Sequence, residues 1–372
     1  DPELYAAFEQ AKRLADGTSH IVRMSSRYPL CGHGRINTYA IFAEAMREML
    51  APSGQLGVIV PTGIATDDTT KLFFADLVDC GALVSLFDFE NRARVFPGID
   101  SRIKFCLLTV GGDERPAGSP AEFAFFAHQV DDLADPERRF ELSANDIRLL
   151  NPNTKTCPIF RTQRDAEIVK GIYRRVPVFV LESAPDGNPW GIALKQGLFN
   201  MTGDSGLFRT RDELVAAGWH LDGNVFVRGD ERMLPLYEGK MFHQFNHRWG
   251  AAHDASVPAN TGAALYPSAR YWVELGICRA AGAEPLLLGY RKIARNTDER
   301  TIICTLLPEV AANDAVQLIR TDPPDLNARL LMLGIINSFV LDYAARNKVG
   351  GTNMSFNYVR QFPVPRPQDV PT

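Results

Sequence analysis

The sequence predicts an α/β protein, with half of a doubly wound sheet in its first part and an α+β domain of irregular outline in its second. Three observations point there. Helix-like and strand-like stretches alternate between Thr38 and Phe89, the strand-like runs are short and unbroken in apolar character, and the pattern changes near Cys157. A chain of 372 residues is long enough for two or three domains at about 150 residues each. Hydrophobic residues make up 45% and charged residues 23%, the usage of a soluble globular protein rather than a disordered or membrane one. No run approaches the ~18 consecutive apolar residues of a membrane span.

The first helix of the alternating part begins at Thr38. Phe42, Ala45, Met46, Met49 and Leu50 share one helical face, with Asn37 as the cap and Pro52 and Gly54 as the stop. Leu56 to Gly63 is a short apolar run, as expected of a parallel strand covered on both faces. A second helix is expected from Asp68 to Cys80, with Phe73, Phe74, Leu77 and Val78 inward, followed by a strand through "ALVSLFDF". Residues 90 to 101 are barely enough for a crossover helix, so the next strand, Arg102 to Val110, is expected to run antiparallel. Residues 113 to 156, rich in Asp, Pro, Gly and Ser around "AEFAFF", read as a linker with a marginal strand. Beyond it a helix is expected near Gln163 to Arg174, strands around Phe179, Trp190, Val225, Ile293 and Ile303, and one long helix from Leu326 to Arg346.

The net charge is −4, from 40 Lys+Arg against 44 Asp+Glu. No global basic field announces a nucleic-acid partner, so such a partner must be held by a local patch. The six cysteines form no CxxC pair and sit in apolar surroundings, which reads as reduced core thiols of a cytosolic protein. The opening at Asp1, without Met or a signal-like segment, reads as a fragment. His243 and His247 are spaced i, i+4, but "HQFNH" lacks the Glu of a zinc-protease helix, and "GIATDDTTK" lacks the second Gly of a phosphate loop. "DPPD" (Asp322 to Asp325) reads as a helix-entry turn.

Five blocks then carry a resemblance: "INTYAIFAEAMREMLAPSGQLGVIVPTGI", "VSLFDFENRARVFPGIDSRIKFCLLTV", "LPLYEGKMFHQFNHRWG", "LLGYRKIARNTDERTIICTLLP" and "NKVGGTNMSFNYVRQFPVPRP". Together, and in this order, they resemble the N6-adenine DNA methyltransferases, closest to the Taq-type and Eco57-type modification enzymes. The resemblance spans nearly the whole chain. It implies that residues 1–112 are the C-terminal half of a Rossmann-like methyltransferase sheet and residues 157–367 an α+β target-recognition domain. The family's glycine-rich loop for S-adenosylmethionine and its Asn-Pro-Pro-aromatic tetrapeptide occur nowhere in this sequence. The resemblance therefore implies a parent enzyme that methylates adenine in double-stranded DNA, in a restriction-modification or phage-defence system, and a chain that transfers no methyl group by itself. A DNA-binding specificity module serving a separate catalytic subunit is the alternative, and a fused nuclease a third.

Enzymes that modify a base swing it out of the helix and stack it on an aromatic. The family's Val-Phe-Pro stands here as Val95, Phe96 and Pro97, so the resemblance assigns Phe96 the stacking role; the competing reading makes it a loop anchor. Pro61 and Thr62 end a strand at the edge where ligands of such folds bind, and are read equally as pocket lining or as a turn. In the second part, basic residues fall among aromatics and amides, the types that contact phosphates and read base edges. The candidates are Lys240, His243, Arg248, Arg291, Arg295 and Arg300, together with Lys348, Asn353 and Asn357 beside the glycines Gly350 and Gly351. Those glycines are also expected to cap the preceding helix. Residues 236 to 366 hold 14 Lys+Arg and 11 Asp+Glu, so for any single Arg a solvated ion pair competes with a DNA contact.

Overall fold

The computed structural model describes residues 1–116, 118–252 and 266–370. They form a mixed α/β structure of two compact units, Asp1–Arg175 and Val176–Thr372.

The first unit opens on a helix, α1 (Pro2–Met24), none of whose residues is buried. In α2 (Thr38–Glu48) the buried side is Ala40, Ala43 and Glu44. The face expected inward is displaced, for Phe42 and Met49 are exposed. Small residues let the helix lie close, and the Glu44 carboxylate accepts the N–H groups of Leu30 (2.9 Å) and Cys31 (2.8 Å), which needs that side turned in. Five cysteines are buried and Cys80 is exposed, correcting the expectation of six core thiols.

The strands β1 (Gln55–Pro61), β2 (Leu83–Glu90), β3 (Lys104–Gly111), β4 (Ala121–Ala127) and β5 (Phe140–Leu142) make one five-stranded sheet in the order β1-β3-β2-β4-β5. As expected, β3 is reversed: it pairs antiparallel with β1 on one side and with β2 on the other. Helix α3 (Lys71–Asp79) joins β1 to β2 and buries Phe73, Phe74, Leu77 and Val78.

Residues 113–156, expected to be a linker with a marginal strand at "AEFAFF", supply that strand as β4 and, beyond the expectation, β5 and the helix α4 (Ala144–Leu150). Strand β4 runs parallel to β2. The aromatics of "AEFAFF" are the reason, since Phe123 and Phe125 cluster with Phe140, and Phe140 with Phe160, burying large apolar area that a linker would leave in water. The next helix, α5 (Gln163–Arg175), also belongs to the first unit.

The second unit holds a four-stranded and a five-stranded sheet. One is β6 (Ile192–Gln196), β11 (Leu286–Arg291), β12 (Cys304–Pro308) and β14 (Val316–Thr321), in the order β12-β11-β14-β6. The other is β7 (His220–Asp222), β8 (Val225–Arg228), β9 (Glu231–Tyr237) and β10 (Trp272–Glu274), in the order β10-β9-β8-β7, with β13 (Ala311–Ala312) parallel to β9. Phe179 and Ile293, expected in strands, lie outside any, beside or within isolated bridges.

The expected single helix from Leu326 to Arg346 is two, α6 (Leu326–Ile336) and α7 (Phe339–Arg346), bent by 63°. Asn337 and Ser338 cause the break. The Ser338 hydroxyl caps α7 by accepting the Leu341 N–H at 3.2 Å, and the Asn337 amide is committed to Cys304, accepting its N–H (3.1 Å) and donating to its carbonyl (2.9 Å). Helix α7 ends on Asn347 in a right-handed conformation, so the glycines do not cap it. Asp325 caps α6, which makes "DPPD" the helix entry its sequence suggested.

Arg329 is buried, and its guanidinium pairs with Glu284 at 2.6 Å; Arg320 also holds Glu284. Burial alone would raise the Glu284 carboxyl, but the two guanidiniums outweigh it and hold it below its ordinary value. A carboxyl depressed on folding stabilises the fold fully above the unfolded Glu range of about 4.3. That stabilisation drains away as pH falls through the depressed value. Glu284→Gln should weaken the second unit by about 2 kcal/mol at pH 7 and flatten its loss in mild acid; urea midpoints of both proteins at the two pH values check this.

Candidate nucleic-acid interface

In the first unit, the loop joining β2 to β3 carries Phe96. The loop is braced from inside by Asn91, which is fully buried. Its amide donates to the carbonyls of Phe96 (2.9 Å) and Ile99 (3.0 Å) and accepts the Phe96 N–H (3.0 Å). One side chain thus fixes both ends of the segment whose aromatic is to be presented. The Phe96 ring is 37% exposed and stands edge-on to Phe105, centroids 4.9 Å apart, while Phe105 stacks on Phe89 at 5.3 Å. The ring has one supported edge and exposed surface beyond it.

Pro61 is exposed where β1 ends. Thr62 is 5% exposed, and its hydroxyl donates to Asp88 at 2.5 Å. This corrects Thr62 as a pocket wall: its polar atom serves the sheet. The other Asp88 oxygen accepts the N–H of Phe126 (3.2 Å), a residue in the left-handed region at φ 59°. Burial pushes the Asp88 carboxyl up, against the Lys104 ammonium and these hydrogen bonds. The Phe126 ring lies under Lys104 (4.6 Å) and Arg161 (4.3 Å).

The second unit brings three of the remaining candidates, His243, Arg291 and Arg300, to one cleft of about 180 Å³, lined also by Ile293, Asp298, Glu299, Thr301 and Ile303. Three segments build it. A tight turn, 243–246, closes on itself through His243 N–H to Asn246 O (2.8 Å) and Asn246 N–H to His243 O (3.0 Å). The turn is tied to β12 and its approach by the Gln244 amide on Ile302 O (3.2 Å) and the Phe245 N–H on Cys304 O (3.3 Å). The loop 295–303 is held by Arg346, which donates to the carbonyls of Asn296 (2.8 Å), Asp298 (2.8 Å) and Glu299 (3.0 Å). Behind it Asp342 accepts the N–H groups of Thr301 (2.8 Å) and Ile302 (3.0 Å).

Within this frame, the Arg291 guanidinium donates to the Phe242 carbonyl, Nε at 3.0 Å, and burial lowers its pKa. Arg300 lies over the Phe339 ring at 4.0 Å with Asp342 4.0 Å away. The His243 ring stacks near Trp249, centroids 4.4 Å apart. Arg248 is exposed over Tyr266 (4.8 Å) and next to His247 (3.3 Å), whose pKa is lowered by burial and by that arginine. Lys240 is exposed and faces Glu238 at 3.3 Å. Arg295 is exposed, its backbone N–H on Asp298 (3.1 Å). Asn353 bridges to Ile293 and is exposed, while Asn357 is half-buried on the short helix Phe356–Arg360. Lys348 is the correction: it is 5% exposed and burial drives its pKa well down, so it cannot reach a phosphate.

Phe245, Asp298 and Glu299 were not among the sequence candidates; the turn that lifts Phe245 and the fold that brings the two acids beside His243 have no local signature. Chemically, the cleft offers forked donors and carboxylate acceptors side by side, the pair of functions that base edges require. Among the described residues no group of three or more His, Cys, Asp or Glu is placed to hold a metal ion. Nor is any single described helix long and apolar enough to cross a membrane.

No protein-family model matches the chain, and no curated protein matches it. Among solved structures it is similar to the type IIG restriction endonuclease BpuSI, at 12% identity and a TM-score of 0.33, over 92% of this chain and 43% of that one. It is also similar to a chain of the cryo-electron-microscopy DrdV–DNA complex, at 8% identity and a TM-score of 0.35, over 82% of this chain and 34% of that one. The chain spans less than half the length of either.

Proposed function

We propose that the chain is the downstream part of a site-specific DNA adenine-N6 methyltransferase of the Taq-type and Eco57-type group. In this reading the first unit presents the ring that receives a flipped adenine and the second unit binds the duplex. The observation that carries the reading is the sheet order: a reversed strand, β3, inserted between the parallel β1 and β2, with Phe96 on the loop that makes the reversal, locked by Asn91. The sequence resemblance places the same aromatic in the same loop. The five blocks also support the restriction-modification or phage-defence setting, and a nuclease in the same system remains part of the proposal.

S-adenosylmethionine enters through the resemblance alone. The family's glycine-rich loop for it occurs nowhere in this sequence, so no residue of this chain is assigned to hold it. No catalytic step is derived through the methyl donor.

Two measurements test the proposal. Duplex binding by this chain should weaken steeply with salt, log K falling by about 0.9 per log unit of salt for each phosphate contacted, and Lys240→Ala and Arg248→Ala should each reduce that slope by about one contact. A flat salt response removes the DNA-binding role. Labelled-methyl transfer to duplex DNA by the longer protein, with N6-methyladenine as product, tests the enzyme; DNA binding without it leaves the specificity-module reading standing.

A further inference from the structure

Two phenylalanines lie in the left-handed backbone region, Phe126 and Phe245. For a bulky side chain that conformation costs about 1–2 kcal/mol, and each needs a reason. Phe126 has one in the fold, since its N–H satisfies the buried Asp88 carboxylate and its ring lies under two cations. The backbone of Phe245 serves the 243–246 turn and donates its N–H to Cys304 O at 3.3 Å, but nothing there uses the ring: at φ 60° the residue is 62% exposed. A glycine or asparagine would fill that turn position without strain. A bulky ring kept at a strained position that glycine would fill more cheaply points to a use for the ring itself.

The surroundings say what the ring is for. The turn is fixed at both ends and tied to β12 and its approach, so Phe245 is a rigid knob. It stands two residues from His243 at the cleft that also holds Arg291, Arg300, Asp298 and Glu299. A nucleobase presents a flat face to an aromatic ring and an edge bearing both donors and acceptors to such a cleft. Apolar side chains inserted between base steps partly unstack them and kink the duplex.

We propose that Phe245 is a wedge that enters the base stack of duplex DNA beside the cleft of the second unit. The inference rests on the DNA-binding reading above and adds to it a residue and a deformation. A wedge must overcome base stacking, so DNA already unstacked at one position binds better, and that preference belongs to the ring.

The test compares binding of this chain to a mixed-sequence duplex and to the same duplex with one abasic site, at low salt, alongside Phe245→Gly and Phe245→Trp. The parent should prefer the abasic duplex about tenfold, within the 1–3 kcal/mol of one stacked base. Phe245→Trp should keep the preference. Phe245→Gly should lose it while melting at the same temperature or higher, because glycine relieves the strain. Preference retained by Phe245→Gly, a preference absent from the parent, or an equal loss on both duplexes overturns the wedge while the DNA-binding reading stands. A parent that binds neither duplex overturns both.

Discussion

Asp342→Ala is expected to destabilise the second unit by about 3–5 kcal/mol, the range for removing one partner from a buried, hydrogen-bonded charge. Asp342 is 5% exposed. It accepts the N–H groups of Thr301 and Ile302, and its second oxygen faces Arg346 at 3.4 Å and Arg300 at 4.0 Å. Alanine would leave two buried N–H donors without an acceptor and remove the carboxylate that both guanidiniums face, Arg346 keeping its loop carbonyls. Asp342→Asn keeps one acceptor oxygen and should lose about half as much. Urea midpoints measure the loss, and amide exchange across 295–303 should accelerate in step with it. If the alanine variant loses under about 1 kcal/mol, Arg346 and not Asp342 holds the loop.

The second large effect belongs to turnover. If the proposed methyltransferase reading holds, Phe96→Ala in the longer protein should lower kcat/KM for adenine methylation about 10- to 100-fold, the equivalent of 1–3 kcal/mol of base stacking, and leave duplex affinity within about twofold, since phosphate contacts dominate affinity. The fold should lose only about 1 kcal/mol, because the residue is more than a third exposed and its aromatic partner, Phe105, meets it edge-on. Phe96→Trp should restore methylation. Unchanged turnover in Phe96→Ala would make the ring a loop anchor.

Much of the first unit was legible because its strands are short apolar runs separated by helix caps and stops: β1, β2 and β3 and the helix carrying Phe73 and Leu77 fall where periodicity and punctuation put them. At β4 the sequence shows a marginal strand but not its place in the sheet, because the Asp, Pro and Gly around it dominate any local view and its partner β2 lies some forty residues back. The inward face of α2 was misread for a similar reason. Apolar count favoured Phe42 and Met49, but the groups Glu44 satisfies lie in a distant loop. The same limit applies to the candidate site. Residue type alone cannot tell an exposed cation from a buried one, and so Lys348 stood beside Lys240. Nothing in "HQFNH" declares that Phe245 adopts φ 60°.

Strand β12 ends its sheet, and an outermost strand carries amide and carbonyl groups open to pairing with a stranger. Asn337 takes both such groups of Cys304 with one side chain. A lone carboxamide here stands in for a missing neighbour, closing the border at the residue where the turn bearing Phe245 also fastens. Exchanging Asn337 for leucine would keep its bulk yet leave the Cys304 amide open to pairing with the edge of another molecule.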